Sequence, residues 1–192
     1  MNILVLGPQG AGKGTQAKRI AAEYQIPHIA TGDLYRHAIA AGTELGKLVA
    51  PLLAEGKLVP DGITIPLIRD EIAKAENGFV LDGYPRTVAQ AEALDELLEE
   101  LDRPLSVILL LELDDETARG RLMKRARLEG RADDTPEAID ERLATYHEKT
   151  EPVVDHYLTT GKLVKVHADR PIEEVWSEIS NALEQVQARA EA

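Results

Sequence analysis

The sequence of 192 residues contains no cysteine, so neither a disulfide bond nor a cysteine-ligated zinc site can form. It also lacks any apolar run approaching the roughly 20 residues that a transmembrane helix needs. The first residues, 1–7, have neither the basic start nor the long apolar stretch of a signal peptide. We therefore expect a cytoplasmic protein without a membrane partner.

Positive charge is scarce, since 22 Lys and Arg residues stand against 34 Asp and Glu residues and the net charge is -12. This balance disfavours nucleic acid or an anionic membrane as a partner of the whole surface. Residues 119–131 are the exception, with six basic residues and one acidic residue, Glu129. Such a segment suggests a small polyanionic ligand, although a solvated helix face gives the same pattern.

Short apolar runs alternate along the chain with helical patterns. Strands are predicted at 3–6, 79–81, 107–111 and 163–166, with a weaker candidate at 26–30. The first three are almost continuously apolar, as is typical of parallel strands covered on both faces. The alternation predicts a single α/β domain, 1–192, with a mostly parallel, doubly wound sheet of five strands.

Two helix starts are marked by capping residues. Thr87 and Gln90 have the three-residue spacing of a capping box. Thr135 and Pro136 place an N-cap and an N1 proline before a helical pattern that ends near Tyr157.

The strongest motif is the glycine-rich segment GPQGAGKGT at 7–15, which follows the first predicted strand and leads into a helical pattern. This order is typical of a phosphate-binding loop. The glycines allow consecutive backbone N–H groups to face one phosphate, and the helix N-terminus adds partial positive charge. Lys13 supplies a full charge to the outer phosphates. The general pattern has Ser or Thr directly after the lysine, whereas Gly14 here separates Lys13 from Thr15. A nucleoside-triphosphate site is favoured over a plain glycine-rich turn.

Further segments follow in a characteristic order. They are GKGTQ at 12–16, TGDLYR at 31–36, GKLVP at 56–60, LDGYPR at 81–86, Gln90, Arg121, Arg125, GRADD at 130–134 and Arg142. In these residues and their spacing, the chain from about 1 to 170 resembles the nucleoside monophosphate kinases, and within them the short-lid adenylate kinases. The resemblance implies reversible phosphoryl transfer from MgATP to AMP, giving two ADP and serving adenine nucleotide homeostasis.

The resemblance also implies a structural plan. It is a P-loop three-layer α/β fold with a helical NMP-binding lobe at about 30–59 and a short lid at about 126–136. Both pieces would close over the sheet and exclude water, which would otherwise hydrolyse ATP. A monomer without zinc is expected, and Pro85 is a candidate cis-proline.

Roles for individual residues follow from the same resemblance. The residues expected to be catalytic are Lys13, Arg86, Arg121, Arg125, Arg131 and Arg142. Those expected to bind ATP are Gly10, Ala11, Gly12, Lys13, Gly14, Thr15, Arg125 and Arg170. Those expected to bind AMP are Thr31, Arg36, Lys57, Leu58, Val59, Gly83, Tyr84, Pro85, Arg86, Gln90, Arg131 and Arg142. Asp82, at the end of a predicted strand, is expected to hold Mg²⁺ through water molecules.

Some of these residues have a purely structural alternative. Thr31 and Asp33 lie where a helix would begin and can cap it, whereas capping does not explain Arg36. Gln90 can complete the capping box of Thr87 or contact the adenine edge of AMP.

The basic segment also allows two interpretations. Arg121 and Arg125 share a helix face, so their repulsion should cost stability unless an anion lies between them. Arg119, Lys124 and Arg127 are interpreted as solvated residues.

Other functions fit less well. A UMP or CMP kinase is the nearest alternative, and Thr31 and Gln90 argue against it. A GTP-binding switch would need an Asn-Lys-x-Asp motif, and no Asn precedes Lys in this sequence. A catalytically silent relative is disfavoured by the intact set of arginines. Two residues depart from the family pattern: Gln9 stands where relatives mostly have proline, and Ala126 where glycine is common.

Overall fold

A five-stranded parallel sheet forms the centre of the molecule in a computed structural model that describes residues 1–130 and 134–190. The strands are β1 (Asn2–Leu6), β2 (His28–Ala30), β3 (Phe79–Asp82), β4 (Val107–Glu112) and β5 (Leu163–His167). Their order across the sheet is β2-β3-β1-β4-β5, and every pairing is parallel. The five predicted strands are therefore confirmed.

Helices cover both faces of the sheet. They are α1 (Lys13–Tyr24), α2 (Thr31–Ala40), α3 (Glu44–Ala54), α4 (Asp61–Lys74), α5 (Val88–Glu100), α6 (Asp115–Glu129), α7 (Pro136–Thr145), α8 (Glu151–Leu158) and α9 (Ile172–Ala190). In the described parts of the chain, no helix is long and apolar enough to cross a membrane.

The apolar strands explain the layers, because successive side chains point to opposite faces. Leu4 and Leu81 pack in a core cluster with α4, α5 and α8, whereas Ile3 and Val80 pack in a second cluster with α1 and α9. All five residues of β1 are buried. The sheet is therefore covered on both sides, which confirms the α/β architecture predicted from the continuous apolar runs.

The capping predictions are confirmed at two helices and are wrong at a third. The side chains of Thr87 and Thr135 accept hydrogen bonds from the backbone N–H three residues on and cap α5 and α7. For α2, the N-cap is Ala30 and no side chain caps the helix, so the capping interpretation of Thr31 and Asp33 is wrong.

The predicted long helix after Pro136 is not a single α-helix. A π-helical turn at Tyr146–Thr150 lies between α7 and α8. Thr150 in this turn donates its hydroxyl to the carbonyl oxygen of Arg86 (3.0 Å). The turn therefore contacts the loop between β3 and α5.

Helices α2 and α3 form an insertion between β2 and α4 with a small core of its own around Tyr35, Val49 and Val59. The two helices are in close contact at Gly46, where a Cβ atom would lie 2.1 Å from the carbonyl oxygen of Ala38. Only a residue without a side chain allows this approach.

We expect Gly46→Ala to lower the free energy of unfolding by about 1–3 kcal/mol, because the added methyl group forces the two helix backbones apart. Gly120 in α6 is the matched control, since no atom lies within 4 Å of its Cβ position. Gly120→Ala should stabilise the protein by about 0.5–1 kcal/mol. Urea unfolding of both variants would test this, and a stable Gly46→Ala variant would contradict the close approach.

Candidate active site

A cavity of about 510 Å³ is lined by residues that follow β1, β2 and β3, by the α2–α3 insertion, and by α6 and α7. Ligands collect at this carboxyl edge in open parallel sheets. The residues of the predicted site that line the cavity are Gly10, Gly12, Lys13, Gly14, Thr15, Thr31, Arg36, Lys57, Leu58, Val59, Asp82, Gly83, Arg86, Gln90, Arg121, Arg125 and Arg142.

Four described residues of the predicted site do not line this cavity. Ala11 is buried, and Tyr84 and Pro85 border a second, small cavity behind the phosphate-binding loop. The Tyr84–Pro85 peptide bond is cis, as the resemblance implies. Arg170 is the fourth, and the predicted site residue Arg131 lies outside the described residues.

Arg170 is held by its own neighbourhood. Its Nε donates to the carbonyl oxygen of His167 (3.1 Å), and its Nη2 pairs with the carboxylate of Glu178 in α9. It is not among the residues that line the cavity. An ATP-binding role would require Arg170 to leave Glu178.

The phosphate-binding loop presents an uncapped helix start to the cavity. Gly12, the N-cap of α1, has φ +87°, no side chain caps the helix, and its first turn contains no acidic residue. The first N–H groups of a helix have no partner within the helix, and their partial positive charge favours an anion. The loop can therefore bind a phosphate through its backbone.

Lys13 is folded onto the same loop. Its Nζ donates to the carbonyl oxygens of Gly7 and Pro8, at 2.8 Å each. The pKa of Lys13 is lowered from 10.5 to about 8, chiefly by burial. The charge of Asp82 opposes this lowering, and the charges of Arg86 and Arg125 contribute to it. The ammonium group therefore lacks a strong counter-ion, and a phosphate would provide one.

Asp82 ends β3 with its carboxylate at the cavity, and its Oδ2 lies 3.6 Å from Nε2 of His28. The described residues contain no group of three or more His, Cys, Asp or Glu side chains able to hold a metal ion. A single carboxylate beside a phosphate-binding loop nonetheless fits Mg²⁺, which keeps several waters and takes few protein ligands.

Gln90 has a different role from the one that a capping box requires. Its Oε1 accepts from the backbone N–H of Arg86 (2.8 Å), and its Nε2 donates to Oδ1 of Asp61 (2.7 Å). The hydroxyl oxygen of Thr87 accepts from the backbone N–H of Gln90 (3.2 Å). The capping interpretation of the Gln90 side chain is therefore wrong, because both ends of the amide have other partners.

Thr31 is the first residue of α2 and Arg36 lies in the middle of the helix, and both line the same cavity. The hydroxyl of Thr31 donates to the carbonyl oxygen of Gly83 (2.9 Å). Nη2 of Arg36 pairs with Oδ1 of Asp33 (2.6 Å). Burial alone would raise the pKa of Asp33, but the hydrogen bond and charge of Arg36 outweigh it and lower the pKa. An anion at Arg36 would compete with this carboxylate.

Asp134 joins two arginines of the predicted site. Its side chain is 0% exposed, and its carboxylate accepts from Nε and Nη2 of Arg125 (2.7 and 2.8 Å) and from Nη1 of Arg142 (2.7 Å). Burial would raise the pKa of Asp134, but these hydrogen bonds and charges lower it. The carboxylate therefore holds the guanidinium groups of α6 and α7 together.

Asp134 was missed in the sequence because nothing there distinguishes it from its neighbour Asp133. It also supplies an anion beside Arg125, so the expected repulsion between Arg125 and Arg121 is reduced. Arg121 itself makes a long contact with the loop, from Nη1 to the carbonyl oxygen of Gly10 (3.5 Å).

Two lysines that the sequence analysis did not assign to the site also border the cavity. Lys124, interpreted as solvated, lines it, as does Lys18 in α1. Arg119 pairs with Asp140 in α7, and Arg127 does not line the cavity. Neither lysine could be distinguished in the sequence from an ordinary surface residue.

The cavity has the opposite charge to the rest of the protein. Its described lining has nine Lys and Arg residues against three Asp and Glu residues, a balance of nine minus three, or +6. The whole chain carries -12. Polyanions are therefore drawn to the cavity, and its guanidinium groups suit phosphate oxygens.

Comparison with known proteins identifies a family. A family model described as "Adenylate kinase" matches residues 5–162. Three curated relatives named "Adenylate kinase", from Bifidobacterium longum, Thermobifida fusca and a Synechococcus strain, are each 46% identical to this chain. The alignments cover 96%, 95% and 94% of this chain, and 100%, 98% and 97% of the respective relatives.

We expect the cost of burying the Lys13 charge to depend on pH. Between about pH 8 and 10.5 the unfolded chain binds the Lys13 proton and the folded chain does not, so stability rises with pH. The free energy of unfolding of Lys13→Met, taken relative to wild type, should therefore be about 2 kcal/mol higher at pH 7 than at pH 10. Urea unfolding at both pH values measures this difference. Lys18→Met, at an exposed position of α1, is the control, and its free energy of unfolding relative to wild type should be the same at both pH values. An equal pH dependence in the two variants would contradict the burial of the Lys13 charge.

We expect Asp134→Asn to lower the free energy of unfolding by about 3 kcal/mol, because two guanidinium groups lose a buried counter-ion. Asp140→Asn removes the partner of Arg119 at a half-exposed site and should cost less than about 1 kcal/mol. The midpoints of urea unfolding of the two variants, each compared with wild type, measure these two losses. Equal losses would mean that Asp134 is only one surface charge among others.

Proposed function

Because the chain belongs to the adenylate kinase family, we propose that this cavity is where its reaction takes place. The protein catalyses the reversible transfer of a phosphoryl group from ATP to AMP, giving two ADP. One observation carries the assignment of the site: the phosphate-binding loop, Thr31 with Arg36, and the arginines of α6 and α7 all line one cavity. Two nucleotides can thus bring their phosphates together within a single chain.

The donor nucleotide binds at the loop. The N–H groups of residues 10–15 and the ammonium group of Lys13 hold the outer phosphates of ATP. Adenylate kinases use MgATP in general, and Asp82 is the residue proposed to hold the ion through water. When bound, Mg²⁺ neutralises charge on the β and γ phosphates. Lys13 must exchange the carbonyl oxygens of Gly7 and Pro8 for phosphate oxygens. This exchange is favourable because a hydrogen bond between the ammonium group and an anionic phosphate is stronger than one to a neutral carbonyl group.

The acceptor nucleotide binds at the α2–α3 insertion. Thr31 and Gln90 contact the adenine, and Arg36 and Arg86 bind the AMP phosphate. Residues 57–59 and Gly83 complete the lining around the nucleoside. The Gln90 amide must release Asp61 to offer its N–H group to the base, whereas its bond to the backbone of Arg86 can remain.

The transfer itself needs no general base, because the attacking group is an oxygen of the AMP phosphate and is already anionic. Catalysis is positioning together with stabilisation of negative charge in a loose transition state. Arg86, Arg121, Arg125 and Arg142 supply the positive charge, and Arg131 is proposed to add to it. The lobe at about 30–59 and the lid at about 126–136 close over the phosphates and keep water out.

The setting of the enzyme is part of the proposal. The enzyme is proposed to be a cytoplasmic monomer. The monomer is supported by the described residues of one chain lining the whole cavity, and the net charge of -12 disfavours nucleic acid.

The acceptor assignment predicts nucleotide preference. In a coupled assay of ADP formation, wild type should use AMP well and CMP or UMP poorly. Thr31→Ala combined with Gln90→Ala should raise the KM for AMP and reduce the AMP preference by about tenfold, the effect of one or two lost polar contacts. The KM for ATP should not change. Unaltered AMP preference would remove both residues from the adenine site.

Arg121 tests the transfer assignment with little effect on folding, since its only described hydrogen bond is the long one to Gly10. Arg121→Ala should lower kcat by at least about tenfold, because a charge-assisted hydrogen bond to the phosphates is lost. Arg127, six residues on and outside the lining, is the matched control. Arg127→Ala should change kcat by less than about threefold. Similar small effects on kcat at both positions would mean that this part of α6 is a solvated face and that Arg121 does not contact the phosphates.

A further inference from the structure

Gln9 is the residue of the phosphate-binding loop for which the proposed mechanism gives no role. It lines the substrate cavity and also the small cavity of about 20 Å³ behind the loop. The residues that border both cavities are Gln9, Lys13, Gly83 and Arg86. Gln9 therefore shares both linings with the two cations that the mechanism assigns to the donor and acceptor phosphates.

The two ends of the Gln9 amide have different surroundings. Oε1 is fully buried and accepts no hydrogen bond from the described residues. Nε2 makes no hydrogen bond within the described structure either, yet it is not among the buried polar atoms without a partner. Nε2 is therefore the end of the amide that keeps some exposure, and Gln9 lines the substrate cavity, so this NH₂ group is the donor that Gln9 can offer to a ligand there.

The backbone at Gln9 does not explain a glutamine. The N–H group of Ala11 donates to the carbonyl oxygen of Pro8 (3.3 Å), and Gly10 has φ +87° while Gln9 has no positive φ. This is the geometry of a type II turn with Gln9 at its second position, where proline is favoured. No hydrogen bond from the backbone N–H of Gln9 occurs among the described residues. Proline would therefore suit the backbone at least as well.

A glutamine at this position thus leaves an acceptor buried without a partner and gives up the residue that the turn favours. Both features cost stability. In return the cavity gains a neutral NH₂ donor in a lining that includes Lys13 and Arg86, and in which nine basic side chains of the described residues repel one another. A neutral donor adds a hydrogen bond to an anion without adding to that repulsion.

We propose that Gln9 is a further catalytic residue: its Nε2 donates a hydrogen bond to an oxygen of the phosphoryl group during transfer. This role rests on the proposed function. No bond to Gln9 forms and no proton leaves it; the phosphoryl group still passes from the donor oxygen to the AMP oxygen. Its three equatorial oxygens carry negative charge in the transition state, and each needs a donor.

The test compares Gln9→Met, which keeps the length of the side chain without the amide, with Gln9→Pro, which suits the turn. We expect both to lower kcat by about tenfold or more, the effect of one hydrogen bond to a charged group. The KM values for ATP and AMP should stay within about threefold, because the contact is made in transfer. The melting temperature of Gln9→Pro should equal or exceed that of wild type.

Gln9→Glu separates the donor from the shape of the side chain. It keeps the length and an acceptor oxygen, but it sets a carboxylate against the phosphoryl group. Its kcat should therefore fall below that of Gln9→Met, whereas a side chain that only fills space would tolerate the change.

Three results would overturn the role. They are a kcat within about twofold of wild type for folded Gln9→Met or Gln9→Pro, a change in KM alone, or a kcat for Gln9→Glu above that of Gln9→Met. Circular dichroism identifies a variant that fails to fold, and the other variant then decides. The wild-type assay separates the two proposals, since failure to form ADP from ATP and AMP would overturn the function and this role with it.

Discussion

Repulsion between the basic side chains around one cavity is the interaction on which this structure depends. Among the described residues, nine Lys and Arg side chains line the cavity against three acidic ones. At the lid side the repulsion is offset by Asp134, whose fully buried carboxylate binds Arg125 and Arg142. Breaking a buried pair leaves an uncompensated charge, which costs more than the pair itself contributes. The helices α6 and α7 are therefore joined through an acid that need not touch a nucleotide.

Three other site residues also have polar partners within the protein. Lys13 binds loop carbonyls, Arg36 binds Asp33, and Gln90 binds Asp61. These contacts hold the side chains in place, so that less conformational entropy is lost when a ligand binds. They also weaken binding, because every nucleotide must displace an internal partner. Charged phosphates can do so, since hydrogen bonds to them are among the stronger ones.

The sheet explains why the site lies where it does. Parallel strands place their carboxyl ends at one edge, so the phosphate-binding loop after β1 and Asp82 at the end of β3 become neighbours through the pairing of Val5 with Asp82. The small size of Gly46 allows α2 to pack on α3, and residues of both helices line the cavity at the same edge. Apolar packing within the sheet and steric fit in the insertion thus gather charges that would otherwise repel one another.

The sequence by itself determined the elements whose physics is local. Continuous apolar runs such as 107–111 require a strand that is covered on both faces, and a hydroxyl before a helical pattern, as at Thr87 and Thr135, caps that helix. The phosphate-binding loop was equally clear, because glycine spacing and Lys13 specify a backbone conformation within nine residues.

Only the tertiary structure decided which polar groups become partners across the chain. Asp134 beside two arginines, Gln90 bonded to Asp61, and the π-helical turn that divides the long helix after Pro136 have no local signature. The two partners of Gln90 approach from different segments, and they override the capping box that its spacing from Thr87 suggested. A buried polar group takes the partners that packing brings to it, and sequence spacing cannot specify them because packing depends on the whole fold.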